Sequence, residues 1–492
     1  MKIVSFLLLW ALPFLVLAQN NKDSTSVFKK RVLENVEIDI LASYYEQDGK
    51  NAAVTGGIGT EELSDLASDI FISIPLNDDD VLRINATVSA YTSASSSNLN
   101  PFSGASRGED DDDDHDDDED DDYEDNGNNS GENTGTPWAA SSGASRKDTW
   151  AAFNASYTHS SEDRNSIYSA NLNFANEYDY TSFGAGIGVV RLFNQKNTEL
   201  SLNTAVYLDT WRPEYPTEIK TFVKEKGDLN ADFFEGVSIL SQNGTAINKN
   251  AADAWRPFNT TLVDNDKRNT YSFSLGFSQI LSKTTQLSVF TDITYQTGWL
   301  SNPMQRVYFA DKDNFYIGNA ESIPFYTEPK NKDVFQLADD IERLPGSRIK
   351  LPIGVRLNQY VTEYLVLRSY YRYYTDDWGI HSHTVNMELA IKLGQHFTFY
   401  PSYRFYNQTA ATYFAPFEEL VSSSAYYTSD FDLSTYHADQ IGFSMKYTDI
   451  FTSAHLWRFG LKGLTIDYSN YARNTGLKAG ILSFGAGFVF TD

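Results

Sequence analysis

Near the end of the chain the residues alternate. Leu482, Phe484, Ala486, Phe488 and Phe490 are apolar, while Ser483, Gly485, Gly487 and Val489 between them are mostly small or polar. A period of two predicts a strand whose two faces meet different media. The pattern recurs upstream. It is clearest in Tyr271, Phe273, Leu275 and Phe277 against Ser272, Ser274, Gly276 and Ser278. It is nearly as clear in Val385, Met387, Leu389, Ile391 and Leu393 against Thr384, Asn386, Glu388, Ala390 and Lys392. The alternation predicts strands at 34–46, 62–76, 79–92, 147–160, 164–177, 180–193, 198–211, 268–281, 284–299, 347–358, 363–376, 382–393, 396–409, 437–448, 461–473 and 477–490. Each has ~10 residues or a little more, the length of a tilted strand crossing a bilayer.

The connections sort by parity. The long ones, 93–146, 212–267, 300–346 and 410–436, follow the third, seventh, ninth and thirteenth strands, all odd. Connections after even strands are mostly short, such as 77–78, 161–163, 194–197, 282–283 and 394–395, with 449–460 the exception. Outer-membrane barrels have short periplasmic turns and long outer loops. The expected fold is therefore all-β, a transmembrane antiparallel up-and-down β-barrel of roughly 16 strands, porin-sized by strand number. Its surroundings are outer-membrane lipid, and both termini are expected in the periplasm. The segment 47–61 carries the weakest pattern.

Composition adds compartment and limits chemistry. Lys2, the apolar run Ile3 to Leu17 and Val16-Leu17-Ala18 predict a signal peptide at 1–18. A polar periplasmic lead at 19–33 and a barrel over 34–492 follow. The chain has no Cys, which removes disulfides and thiolate chemistry. Tyr, Phe and Trp make up 14% of it, a load that suits aromatic girdles at both membrane interfaces. The net charge is −27, of which residues 109–125 supply 15 acidic side chains, leaving −12 for the rest. Such acidity argues against nucleic-acid binding. The same five residues, Ser-Gly-Ala-Ser-Arg, stand at 103–107 and 142–146, so 108–146 reads as an acidic, disordered insert in a loop. It could gather divalent cations, or be a tolerated insert without an essential partner.

The residues also resemble a family of outer-membrane barrel proteins, common in Bacteroidota, known only as a domain of unknown function. The matching stretches are Val54 to Leu63, Tyr271 to Gln279, Arg368 to Ile380, Tyr413 to Pro416 and Tyr427 to Leu433. The resemblance implies location and fold and brings no activity with it; the acidic segment departs from the family pattern.

Several residues are candidates for function. On the inward faces of four strands lie Arg348, Lys350, Arg356, Arg368, Arg372, Lys392 and Arg404, opposed there only by Asp376 and Glu388. A basic ladder in a lumen attracts anions; alternatively, the cations pair with acids elsewhere on the wall or with a loop folded inward as a plug. Asp376, Asp377, Asp430 and Asp432 are candidate Ca²⁺ ligands at the outer loops, although loop carboxylates more often are solvated or cap turns. His381 and His383 share a face, as metal ligands would, but strand parity assigns that face to the lipid rim. No Ser or Asp with a nearby His marks a hydrolase, and no other cofactor is expected. The function expected is porin-like passage or holding of a small anionic solute. The alternative is a non-enzymatic structural or assembly subunit of a larger outer-membrane complex, with a plugged lumen and the four long loops as docking surface for other outer-membrane or periplasmic proteins.

Overall fold

The computed structural model describes residues 31–92, 148–258, 261–328 and 333–491. The expected signal peptide, most of the polar lead and the acidic insert lie outside them. Sixteen long strands follow in chain order: β1 Glu37–Asp48, β2 Leu63–Pro75, β3 Asp80–Thr92, β4 Asp148–Ser160, β5 Ser166–Asn176, β6 Tyr180–Phe193, β7 Thr198–Trp211, β8 Asp266–Ser282, β9 Thr285–Gly298, β10 Ser347–Thr362, β11 Leu365–Asp376, β12 His381–Leu393, β13 Phe397–Gln408, β14 Tyr436–Thr448, β15 Phe459–Arg473 and β16 Lys478–Phe490. Each pairs antiparallel with its chain neighbours. β1 also pairs with β16, from Glu37↔Val489 to Asp48↔Lys478, and the sheet closes into a barrel. Closure leaves no strand edge whose N–H and C=O groups would face hydrocarbon unpaired.

The sixteen expected strands are all present, with shifted ends. β1 begins at Glu37 rather than 34, where its pairing with the end of β16 starts. β10 runs on to Thr362 because only residues 363–364 separate it from β11. The exterior carries the apolar set: Leu275 is 40% and Leu389 37% exposed, and Tyr271, Phe273, Phe277 and Met387 are exposed beside them. A continuous apolar belt of this kind matches lipid rather than water. Among the described residues no helix is long and apolar enough to cross a membrane; the crossing elements are strands.

The buried core is elsewhere. The largest fully buried side chains, among them Trp255, Arg306, Tyr308, Phe335 and Tyr427, all lie in connections between strands. Four connections build it, 49–62, 212–265, 299–346 and 409–435, each following an odd-numbered strand. They carry a helix, α1 (Thr217–Lys224), a small sheet of Ile239–Ser241, Phe315–Gly318 and Val334–Gln336, and a ribbon pairing Arg306–Val307 with Asp340–Ile341. In a ring of sixteen strands the β1–β2 and β9–β10 connections start half a circumference apart. They meet only by spanning the mouth, so these loops form a cap over one end of the barrel. Three of the four loops expected as a docking surface, 212–267, 300–346 and 410–436, belong to this cap. These loops bury apolar residues such as Phe233-Phe234 and Val307-Tyr308-Phe309 against one another. The fourth, 93–146, lies outside the described residues. At the opposite end the connections have two to five residues, apart from 449–458, which folds as a small hairpin.

Candidate functional site

The cap is fastened by one buried ion pair. α1 places Glu218 in its first turn, where the helix dipole favours a carboxylate. Arg306 meets it through two bonds, Nε to Oε1 at 2.6 Å and Nη2 to Oε2 at 2.9 Å. A third donor, Nη1, reaches the carbonyl of Val54 at 3.1 Å. Both side chains are 0% exposed, and the guanidinium lies 4.9 Å from the Phe335 ring centre. One side chain thus joins three loops from different parts of the ring. A second network ties 299–346 to 409–435: Tyr427 donates to Asp340 at 2.6 Å, and Arg343 donates to Asp340 at 2.9 Å and to Tyr427 at 3.0 Å.

Around and below this clasp the cap buries carboxylates. Burial raises Glu342 to about 8, with the charge of Asp430 adding to it, although Thr428 and the Asn302 amide donate to its oxygens. Burial raises Asp339 to about 7 against the Phe309 amide and Lys312, which act to lower it, while Glu418 and Asp340 reinforce the rise. At the seam with the barrel, burial and the neighbouring charges of Asp432 and Asp430 raise Glu61 to about 7, with Arg473 and Gln47 acting the other way. Asp430 rises to about 6 through burial and Asp432, opposed by Gln305 and Arg473. A carboxyl raised on folding favours the folded state while protonated. That contribution is full below the usual carboxylate pKa of ~4 and is lost as pH climbs through the folded values. The cap is therefore expected to be tighter at pH 5 than at pH 8.5. Amide hydrogen exchange in 299–346 should be slower at the lower pH after correction for the intrinsic rate, and equal protection at both would contradict the sign.

Beneath the cap the inner wall of β10–β13 is basic. Arg348 donates to Asp376 at 2.9 Å and lies 4.2 Å from the Trp378 ring centre. Arg368 pairs with Glu388 at 2.7 Å. The other five, Lys350, Arg356, Arg372, Lys392 and Arg404, form no ion pair among the described residues. Arg356, Lys392 and Arg404 are exposed although they stand on the inward face, so water reaches them through the lumen. Strand β2, across a sixteen-membered ring from β10, turns Asp65 and Asp69 inward; Ser89 donates to Asp65 at 2.6 Å, and Thr87 donates to Asp69. The lumen wall therefore carries carboxylates on β2, opposite the cations of β10–β13.

Each of the four candidate Ca²⁺ ligands has other partners. Asp376 is taken up by Arg348, by Tyr374 at 2.7 Å and by the amides of Trp378 and Ile380. Asp377 accepts from the Ile349 amide at 2.9 Å. Asp430 accepts from the Asp432 amide at 2.8 Å and from Gln305 at 3.2 Å, and Asp432 pairs with Arg473. Among the described residues no group of three or more His, Asp and Glu side chains is placed to hold a metal ion. His381 and His383 face outward, bonded to the hydroxyls of Tyr373 at 3.1 Å and Tyr371 at 2.8 Å. Sequence reasoning missed Glu218, Arg306, Phe290, Gly354 and Thr384. The one visible signal was Phe290, an aromatic on an otherwise polar inward face.

The chain matches, over residues 5–485, the model of the family described as "Protein of unknown function (DUF3570)", and it belongs to that family. No curated protein matches it. Among solved structures it is similar to a deletion mutant of the TodX monoaromatic hydrocarbon channel, at 8% identity over 94% of this chain and 91% of that one, with a TM-score of 0.36. It is similar to a bacterial polysaccharide outer membrane secretin at 8% identity over 93% and 98%, TM-score 0.39. It is also similar to a mutant of the ferric enterobactin receptor of Pseudomonas aeruginosa at 11% identity over 90% and 54%, TM-score 0.37.

Proposed function

We propose that this member of the family passes or holds a small anionic solute in the outer membrane, with its termini on the periplasmic side and its cap controlling access from outside. The observation that carries the reading is the inner wall of β10–β13, where Arg356 and Arg404 stand exposed to the lumen without an acidic partner. Unpaired cations in a bore raise the local concentration of anions and lower their barrier to passage. The reading includes no chemistry on the solute. In liposomes, small anions should cross faster than cations of similar size, and Arg356→Glu with Arg404→Glu should reduce that preference several-fold. An unchanged preference in a correctly folded double variant would count against the wall as its source.

The cap favours a second reading. Loops that bury a core across the mouth could instead close the lumen for good and make the protein an assembly subunit. A barrel that conducts nothing after its cap is released, and that is purified with a stoichiometric partner, supports that reading.

A further inference from the structure

Two buried groups just under the cap lack a hydrogen-bond partner and stand side by side. Thr384 is 1% exposed, and neither its Oγ1 nor Nε of Arg372 meets a partner. The two residues are directly opposite each other on β12 and β11. Both groups can donate, and leaving either without an acceptor is costly. The next row of the same wall runs Arg356, Tyr370, Asn386, Arg404 across β10–β13. Two further guanidiniums thus flank the pair, neither in an ion pair.

Beside these donors lies a pair of near-parallel aromatic rings, Phe290 and Tyr370. Gly354 allows this: a Cβ there would come within 2.2 Å of the Phe290 ring, so only glycine lets that ring lie across β10. Phe290 consequently reaches Tyr370, with ring centres 5.9 Å apart and planes 22° from parallel. The Arg356 guanidinium is 5.9 Å from each ring centre. Aromatic faces next to a guanidinium are a surface on which a further flat ring stacks. An inorganic anion makes no use of it, and an apolar solute makes no use of the donors.

We propose that the lumen beneath the cap binds an aromatic carboxylate. Arg372 Nε and Thr384 Oγ1 donate to its two oxygens, Arg356 and Arg404 balance its charge, and its ring lies on Phe290 and Tyr370. The proposal rests on the reading of the lumen as an anion path and narrows it to a solute class.

Calorimetry on the purified full chain in mild detergent tests it, with benzoate, cyclohexanecarboxylate, acetate and benzyl alcohol as probes at constant ionic strength. Benzoate should bind about tenfold more tightly than any of the other three. Phe290→Leu should abolish its advantage over cyclohexanecarboxylate while leaving acetate binding in place. Thr384→Val, nearly isosteric, should weaken benzoate about tenfold, and Arg372→Gln should weaken it further. If Arg372→Gln fails to fold, the valine variant still decides the matter. Equal binding of benzoate, cyclohexanecarboxylate and acetate would overturn the aromatic site while leaving the anion path standing. Binding of none of the three carboxylates to a heat-modifiable, folded barrel would overturn both.

Discussion

Arg306→Leu should unfasten the cap and leave the barrel intact. The substitution strands the Glu218 carboxylate in a site where it is 0% exposed. Removing one partner of a buried, doubly bonded ion pair costs about 3–5 kcal/mol, mostly as the penalty of the remaining charge. It also frees the Val54 carbonyl and removes one tie between 49–62 and the other loops. The barrel is held by sixteen paired strands, none of which relies on this pair. The expected result is rapid proteolytic cleavage within 212–265 and 299–346, with the shift in gel mobility between heated and unheated samples unchanged. Arg306→Leu combined with Glu218→Leu should restore part of the protection, because no orphaned charge remains. Full protection in the single variant would show that the clasp does not hold the cap.

Arg at Leu275 should damage insertion, and Arg at Ser274 should not. Leu275 belongs to the exposed apolar belt, where a cation near the bilayer midplane costs about 2–4 kcal/mol. Ser274 faces the lumen, in register with Asp292 on β9 and Asn203 on β7, so a guanidinium there meets water and a carboxylate. Leu389 and Asn386 on β12 form a second such pair, and Arg at each should repeat the contrast. The fraction of heat-modifiable protein in outer-membrane preparations measures it. Equal loss from both faces would contradict the assignment of the faces.

The barrel was legible in the sequence because one physical condition acts on every strand: lipid on one side and water on the other enforce a period of two. Parity of loop length then separated the two ends. The cap was not legible, because its core forms between loops far apart in the chain, as when Arg306 meets Glu218 and Gly57 packs on Ser429 and Phe431. No local period marks such contacts; apolar runs such as Val307-Tyr308-Phe309 were the only sign that a supposed loop would be buried. The basic ladder was readable as a face, since parity places Arg356 and Arg372 inward. Its balance was not. The acids opposite, Asp65 and Asp69, come into play only once β1 pairs with β16 and β2 takes its place across the ring. The orphaned Thr384 hydroxyl and the ring admitted by Gly354 are matters of register and side-chain packing, which the alternation of residues does not encode.

The proposed function requires a bore that favours anions once its cap is released. The direct measurement is the reversal potential of the Arg306→Leu variant in a planar bilayer under a potassium chloride gradient. The variant should conduct with a reversal potential of the sign of chloride preference, moving toward zero when Arg356→Glu and Arg404→Glu are added. A potential with the sign of potassium preference, or no conductance from a folded barrel whose cap is demonstrably open, would contradict the proposed function.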